Sequence, residues 1–320
     1  MRMVDAANHD RPDAGGIKVG GHQASSASMV GIMTSLWFNL LEADGKVAVK
    51  PHASPVYHAI RYLIGEIDKS WLLKFRSFGG LQAYPSRTKD PDVADFSTGS
   101  VGHGAVAPLF AAATRRYLAS HFKLGAPGWF IALIGDAELD EGNVWEAIGD
   151  PALQKLHNVW WVVDLNRQSL DRVVPELKVR RLEQLFAACG WNVVEAKWGR
   201  RIEALFASTD GEVLRKRLED MSNEEYQSIV AGPRSEVGAG LLAGADAALK
   251  RLIAGGRPPR CRTAGEGFAI ARAALRCLRA HQPAAGALRR PWCLPSLPDP
   301  RAGGALRRLW RAAPRHISWP

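Results

Sequence analysis

Two short runs, WFIALIG at residues 129–135 and VWWVVDL at 159–165, are apolar at nearly every position rather than at every second one. A strand with that pattern must be covered on both faces, as the strands of a parallel sheet are. Parallel neighbours need a long crossover between them, usually a helix. The chain supplies both parts. KVAVK at 46–50 and NVVEAK at 192–197 read as further strands, and helical patterns occupy 28–42, 55–66, 104–122, 143–157 and 180–189. The expected fold is α/β, a parallel sheet with helices on both faces. Ligands of such sheets sit outside the carboxyl ends of the strands. Chemistry is therefore expected just after Gly135 and just after Leu165, with Trp160 and Trp161 inside the strand core.

The 320 residues suit one large domain or two small ones, and 47% hydrophobic with 23% charged residues excludes a wholly disordered or collagen-like chain. No apolar run approaches the roughly 18–20 residues of a membrane span. The start, MRMVDAANHDRPDAGG, lacks the apolar centre of a secretory signal, so the expected location is the cytoplasm. Four cysteines without close spacing give neither a disulfide framework nor a zinc ribbon.

The net charge of +10 would by itself suggest a nucleic-acid or membrane partner. Its distribution argues otherwise. Residues 255–320 carry 13 Arg, no Lys, and only Glu266 and Asp299 as acids, which leaves the first 254 residues near neutrality. That tail also holds nine of the 19 prolines and three of the four cysteines. Arg, Ala, Pro and Gly have the most GC-rich codons, so the expectation is a frameshifted or fused end, disordered or weakly helical, with helical spacing best at 267–281. The alternative is a basic RNA-binding arm using Trp292, Trp310 and Trp319, acting without catalysis. The chain thus divides into 1–254 and 255–320.

After the strand at 129–135 comes GDAELDEGN (135–143), and after the strand at 159–165 comes NRQS (166–169). Asp136 and Asn166 would place a carboxylate and an amide oxygen at neighbouring strand ends. Such oxygens suit Mg²⁺, which typically takes one or two protein carboxylates and fills its other positions with phosphate and water. A helix starting near Asn143 would add N–H groups and a favourable dipole.

At this point the chain resembles the thiamine-diphosphate enzymes of the transketolase and pyruvate dehydrogenase superfamily, most nearly the homodimeric pyruvate dehydrogenase decarboxylase component. The blocks VGGHQASSASMVGIMTSLWFNLL, KVAVKPHASPVYHAIRYLIG, GGLQAYPSRTKD, DFSTGSVGHG, IALIGDAELDEGNVWEA, DLNRQSLD and GWNVVEAKWG carry the resemblance in order, from about residue 8 to 238. It implies Asp136, Asn166 and Gln168, the last through its carbonyl, as Mg²⁺ ligands. Gly135 would let the backbone approach the diphosphate, with Ala137 where the family has a third glycine. Gly99, Ser100 and Val101 would lie along the cofactor, and Tyr84 near the substrate channel. His22 and His52 would face the thiazolium and the substrate, and Glu141 would join an acidic network between two active sites.

The resemblance further implies thiamine diphosphate and Mg²⁺ as cofactors and a 2-keto acid such as pyruvate as substrate. The activating glutamate would come from the pyrimidine-binding domain of a partner subunit. The matching register fades between Ser235 and Gly256, so the expectation is a chain truncated before that domain, inactive alone, and self-associating or poorly soluble. Half of a split transketolase is the alternative.

Overall fold

The computed structural model describes residues 2–10, 19–21, 23–92, 94–122, 124–125, 127–165, 168–169, 172–173, 178–196, 200–231, 241–242, 247 and 249–250. The tail at 255–320, His22 and Asn166 lie outside the described residues.

Among the described residues three strands form the main sheet: β1 (Lys46–Ala48), β2 (Phe130–Gly135) and β3 (Val159–Asp164), in that order and all parallel. The helices are α1 (Arg2–His9), α2 (Gln23–Ser35), α3 (Ser54–Leu63), α4 (Lys69–Leu72), α5 (His103–Phe122), α6 (Gly142–Gly149), α7 (Lys178–Ala188), α8 (Arg200–Phe206), α9 (Gly211–Asp220) and α10 (Asn223–Ala231). The β1–β2 connection contains α3 to α5, and α6 lies between β2 and β3. Two short strands, β4 (Gln168–Ser169) and β5 (Arg172–Val173), pair antiparallel just beyond β3.

Alternation along the strands sorts the core into two layers, as a period of two requires. Ile131, Leu133 and Trp160 point to the face covered by α2 and α3, where they meet Met29, Met33, Val56 and Ile60. Ala132 and Ile134 point the other way, toward Ala105 of α5, Val144 and Ile148 of α6, and Leu182 and Phe186 of α7. Trp160 and Trp161 are split accordingly. Trp160 packs on Trp129 at 4.3 Å, and Trp161 joins Phe186 and Trp191 at 5.9 and 5.1 Å. Every residue of β2 is buried, as a central strand covered on both sides should be. Each fully buried large side chain stabilises the fold by about 1.5–3 kcal/mol. The α/β architecture is the one the apolar runs implied.

Two readings need correction. The run at 192–197 is no strand where it is described, through residue 196: Asn192, Val193, Glu195 and Ala196 are exposed and Val194 is only half-buried, unlike a strand covered on both faces. The helical pattern at 143–157 stops at Gly149, because Asp150 precedes Pro151 and takes the extended conformation (φ −70°, ψ 116°). Elsewhere α2 begins at Gln23, earlier than its pattern, and runs into a wide turn at Leu36–Leu40, closed by the Leu41 N–H on the Leu36 carbonyl. Among the described residues no helix is long and apolar enough to cross a membrane.

Candidate functional site at the carboxyl edge of the sheet

The candidate site grows out of the end of β2. Gly135 closes the strand with ordinary extended angles (φ −81°, ψ 149°), so it is not there for backbone freedom. It is there for space. A Cβ on Gly135 would stand 3.2 Å from Lys50 Cε and 3.6 Å from Glu138 Oε2. The next five residues, Asp136–Asp140, form a tight helical turn that lifts the half-buried Asp136 clear of the core. Asp136 Oδ1 accepts the Ala137 N–H at 3.1 Å. The N-terminus of α6 follows, with Glu141 at its cap position in extended conformation.

The loop at 99–102 docks against this start of α6. Asn143 Nδ2 donates to the Val101 carbonyl at 3.2 Å. Gly102 has φ +78°, where an L side chain is strained, and a Cβ there would collide with Asn143 Oδ1 and lie 2.9 Å from Val144. Asn143 Oδ1 is buried with no hydrogen-bond partner among the described residues. Tyr84 brings the third side: its hydroxyl lies 3.3 Å from Ser100 Oγ, and its ring meets His52 edge-on at 5.7 Å. His52 belongs to the turn Pro51–Ala53 after β1, tied down by Ser26 Oγ donating to the His52 carbonyl at 3.1 Å.

The structure therefore gathers His52, Tyr84, Ser100 and Val101 on one side, and Gly135, Asp136, Ala137 and Glu141 on the other, all beyond the carboxyl edge of the sheet or on loops docked to it. Gln168 begins β4, and only its backbone is described; His22 and Asn166 fall outside the described residues. Among the described residues no group of three His, Cys, Asp or Glu side chains converges as a metal cage. A Mg²⁺ held through one carboxylate, an amide, a carbonyl and phosphate oxygens needs none. The donor chemistry fits a metal-bound diphosphate: a half-buried carboxylate, a glycine strand end and a helix N-terminus.

Four residues of the site were missed in the sequence. Lys50, Asp164, Ser28 and Glu138 make a polar cluster at the strand ends, and the first two and Glu138 are buried. Glu138 accepts the Gly135 N–H at 2.9 Å. Burial, with a smaller push from Glu141, raises its carboxyl to about 7 against the opposing pull of that N–H and of Lys50. The available signal was an ionisable residue at the end of a run otherwise apolar on both faces, as in KVAVK and VWWVVD.

The family described as transketolase, thiamine diphosphate binding domain, matches residues 16–216. The chain belongs to this family. Among curated proteins it is 31% identical to the pyruvate dehydrogenase E1 component of Cupriavidus necator over 72% of this chain and 26% of that protein. Identity to the same component from Pseudomonas aeruginosa is 32% over 72% of this chain and 27% of that protein, and from Escherichia coli K12 30% over 66% and 25%. The chain spans about a quarter of the length of these relatives. The matched residues include β2, α6 and the 99–102 loop, the elements that converge here.

Proposed function

We propose that residues 1–254 form the diphosphate- and Mg²⁺-binding domain of a pyruvate-dehydrogenase-type enzyme acting on a 2-keto acid such as pyruvate. A pyrimidine-binding domain from a partner chain completes it, and residues 255–320 take no part in the chemistry. The observation that carries this reading is the convergence of Asp136, the Gly135 strand end and the 99–102 loop at one end of a parallel sheet.

When bound, thiamine diphosphate supplies the electron sink for decarboxylation. This chain's residues anchor and orient. Asp136, with Asn166 and the Gln168 carbonyl, holds Mg²⁺, which offsets the repulsion between the carboxylate and the diphosphate. Gly135 leaves room for the diphosphate, and the first N–H groups of α6 receive phosphate oxygens, where the helix dipole favours negative charge. Gly99, Ser100 and Val101, braced by Tyr84 and Asn143, form the wall along the cofactor. His52, and His22 with it, face the substrate and can donate or accept a proton. Glu141, at the cap of α6, holds the start of the acidic network.

The test is calorimetry of thiamine diphosphate on the full chain, with Mg²⁺ and with a chelator. Binding should require the metal and disappear in Asp136→Ala and Asn166→Ala. Equal binding in the chelator would overturn the anchoring described here.

A further inference from the structure

Lys50 stands two residues past the end of β1 and is 3% exposed. Its Nζ donates to Asp164 Oδ2 at 2.7 Å, and Ser28 Oγ of α2 donates to the same oxygen at 2.6 Å. Asp164 is the last residue of β3 and sits in register with Gly135, the last residue of β2. The pair thus runs from the β1 side to β3, spanning the end of the strand between them. The lysine stem passes close to that end: a Cβ on Gly135 would be 3.2 Å from Cε and 3.7 Å from Nζ.

A buried ion pair is a poor way to gain stability, since an apolar pair of similar volume commonly does as well. What it adds is a fixed length and direction. Both ends of the lysine are set here, its backbone by the turn at Pro51–Ala53 and its ammonium by Asp164. We infer that Lys50 is a positioning residue for the diphosphate end of the cleft: clamped by Asp164 and Ser28, its stem fixes where Gly135 ends β2 and so where Asp136 is presented. This rests on the cofactor site proposed above. Lys50 acts through Gly135 and not as a ligand, because its side chain is 4% exposed and its charge is already matched.

The experiment uses the full chain and two variants. Lys50→Met with Asp164→Leu removes both charges of the pair with side chains of similar shape, so neither partner is left buried alone. Ser28→Ala removes only one donor of the clamp. Thermal melting, calorimetry of Mg²⁺–thiamine diphosphate and amide hydrogen exchange at residues 135–139 are measured on each. The double variant should melt close to the parent, bind the cofactor about tenfold or more weakly, as losses of supporting groups around a metal site do, and exchange faster at 135–139. Ser28→Ala should lose about threefold to fivefold in affinity, the low end of a hydrogen bond's net worth, because Ser28 is exposed and Lys50 still holds the same Asp164 oxygen. Unchanged affinity in either folded variant, or unchanged exchange at 135–139, overturns the inference. If the parent chain binds no cofactor, the proposed function fails by itself. The exchange measurement then still decides whether Lys50 positions this strand end. Should the double variant fail to fold, Ser28→Ala carries the same decision.

Discussion

Two polar clusters, each centred on buried charged groups, are built to different standards. Lys50, Ser28 and Asp164 meet at hydrogen-bond distances of 2.6 and 2.7 Å at the carboxyl edge. In and beside α3, His58 and Asp92 are both fully buried yet stand 3.7 Å apart, with Arg61 Nε 3.6 Å from Asp92. Neither ring nitrogen of His58, neither oxygen of Asp92, nor Arg61 Nε makes a hydrogen bond among the described residues. Short directional contacts fix atoms to a fraction of an ångström, whereas contacts beyond hydrogen-bond length only balance charge. The tight cluster lies at the strand ends where the proposed cofactor site requires a fixed backbone. The loose one sits against Tyr57 and Phe75, with ring centroids 5.4 and 6.3 Å from His58, where approximate neutrality is enough.

That contrast breaks most visibly by truncating one acid in each cluster. Asp164→Ala leaves Lys50 buried without its partner and should destabilise the fold by about 3–5 kcal/mol in a denaturant titration. Asp92→Ala removes only long contacts and should lose about 1–3 kcal/mol. Equal losses would mean the two clusters are not different in kind.

Gly135→Ala comes next. The backbone angles at 135 suit any residue, so the whole effect is crowding against a lysine stem that cannot retreat. A loss of about 1–3 kcal/mol is expected, shrinking when Lys50→Met frees the stem. Additive effects of the two substitutions would separate Gly135 from Lys50.

The loose cluster should show itself in acid. Burial pushes the Asp92 carboxyl up, but the contact and charge of His58, with Arg61, outweigh it, so it ends below its usual 3.8. A carboxyl lowered by folding stabilises above its unfolded value and loses that contribution as pH falls through the folded value. Asp92→Asn should therefore flatten the fall in melting temperature below about pH 4. Asp90 works the other way. Burial raises it against the N–H groups of Gln82 and Ser86, so it must stay intact for the comparison. An acid limb unchanged in Asp92→Asn would contradict this account of the cluster.

The smallest effect on stability belongs to the residue with the largest effect on binding. Asp136 is half-buried, and its Ala substitution should cost less than about 1 kcal/mol while abolishing metal-dependent cofactor binding.

How much of this could be read from the residues follows the same line between periodic and non-periodic information. The three strands and α5 were legible, because apolar runs and helical spacing repeat along the chain. So were the positions of Gly135 and Asp136, since parallel sheets put ligands at carboxyl ends. The run at 192–197 misled because β-rich composition says nothing about cover, and Val193 is 43% exposed. The ion pair was invisible as a pair: Lys50 and Asp164 are 114 positions apart, and only the β1-β2-β3 order brings them together. The His52–Tyr84–Ser100 grouping came from resemblance. It needed the fold to show one hydroxyl contact and one ring contact holding it.

A cleft of about 300 Å³ lies elsewhere, beside the amino end of β1, lined by Trp37, Tyr57, Arg61, Asp95 and Lys46. Its lining mixes both charges, with Lys46 already paired to Asp95 at 3.0 Å, so it is the place to look if the carboxyl edge is the wrong end. Anomalous scattering from Mn²⁺ in crystals of the full chain with thiamine diphosphate distinguishes the two ends directly. One peak within coordination distance of the Asp136 carboxylate, lost in Asp136→Ala, is the expected result. A peak at the Trp37–Arg61 cleft, or cofactor density with no metal at Asp136, would contradict it.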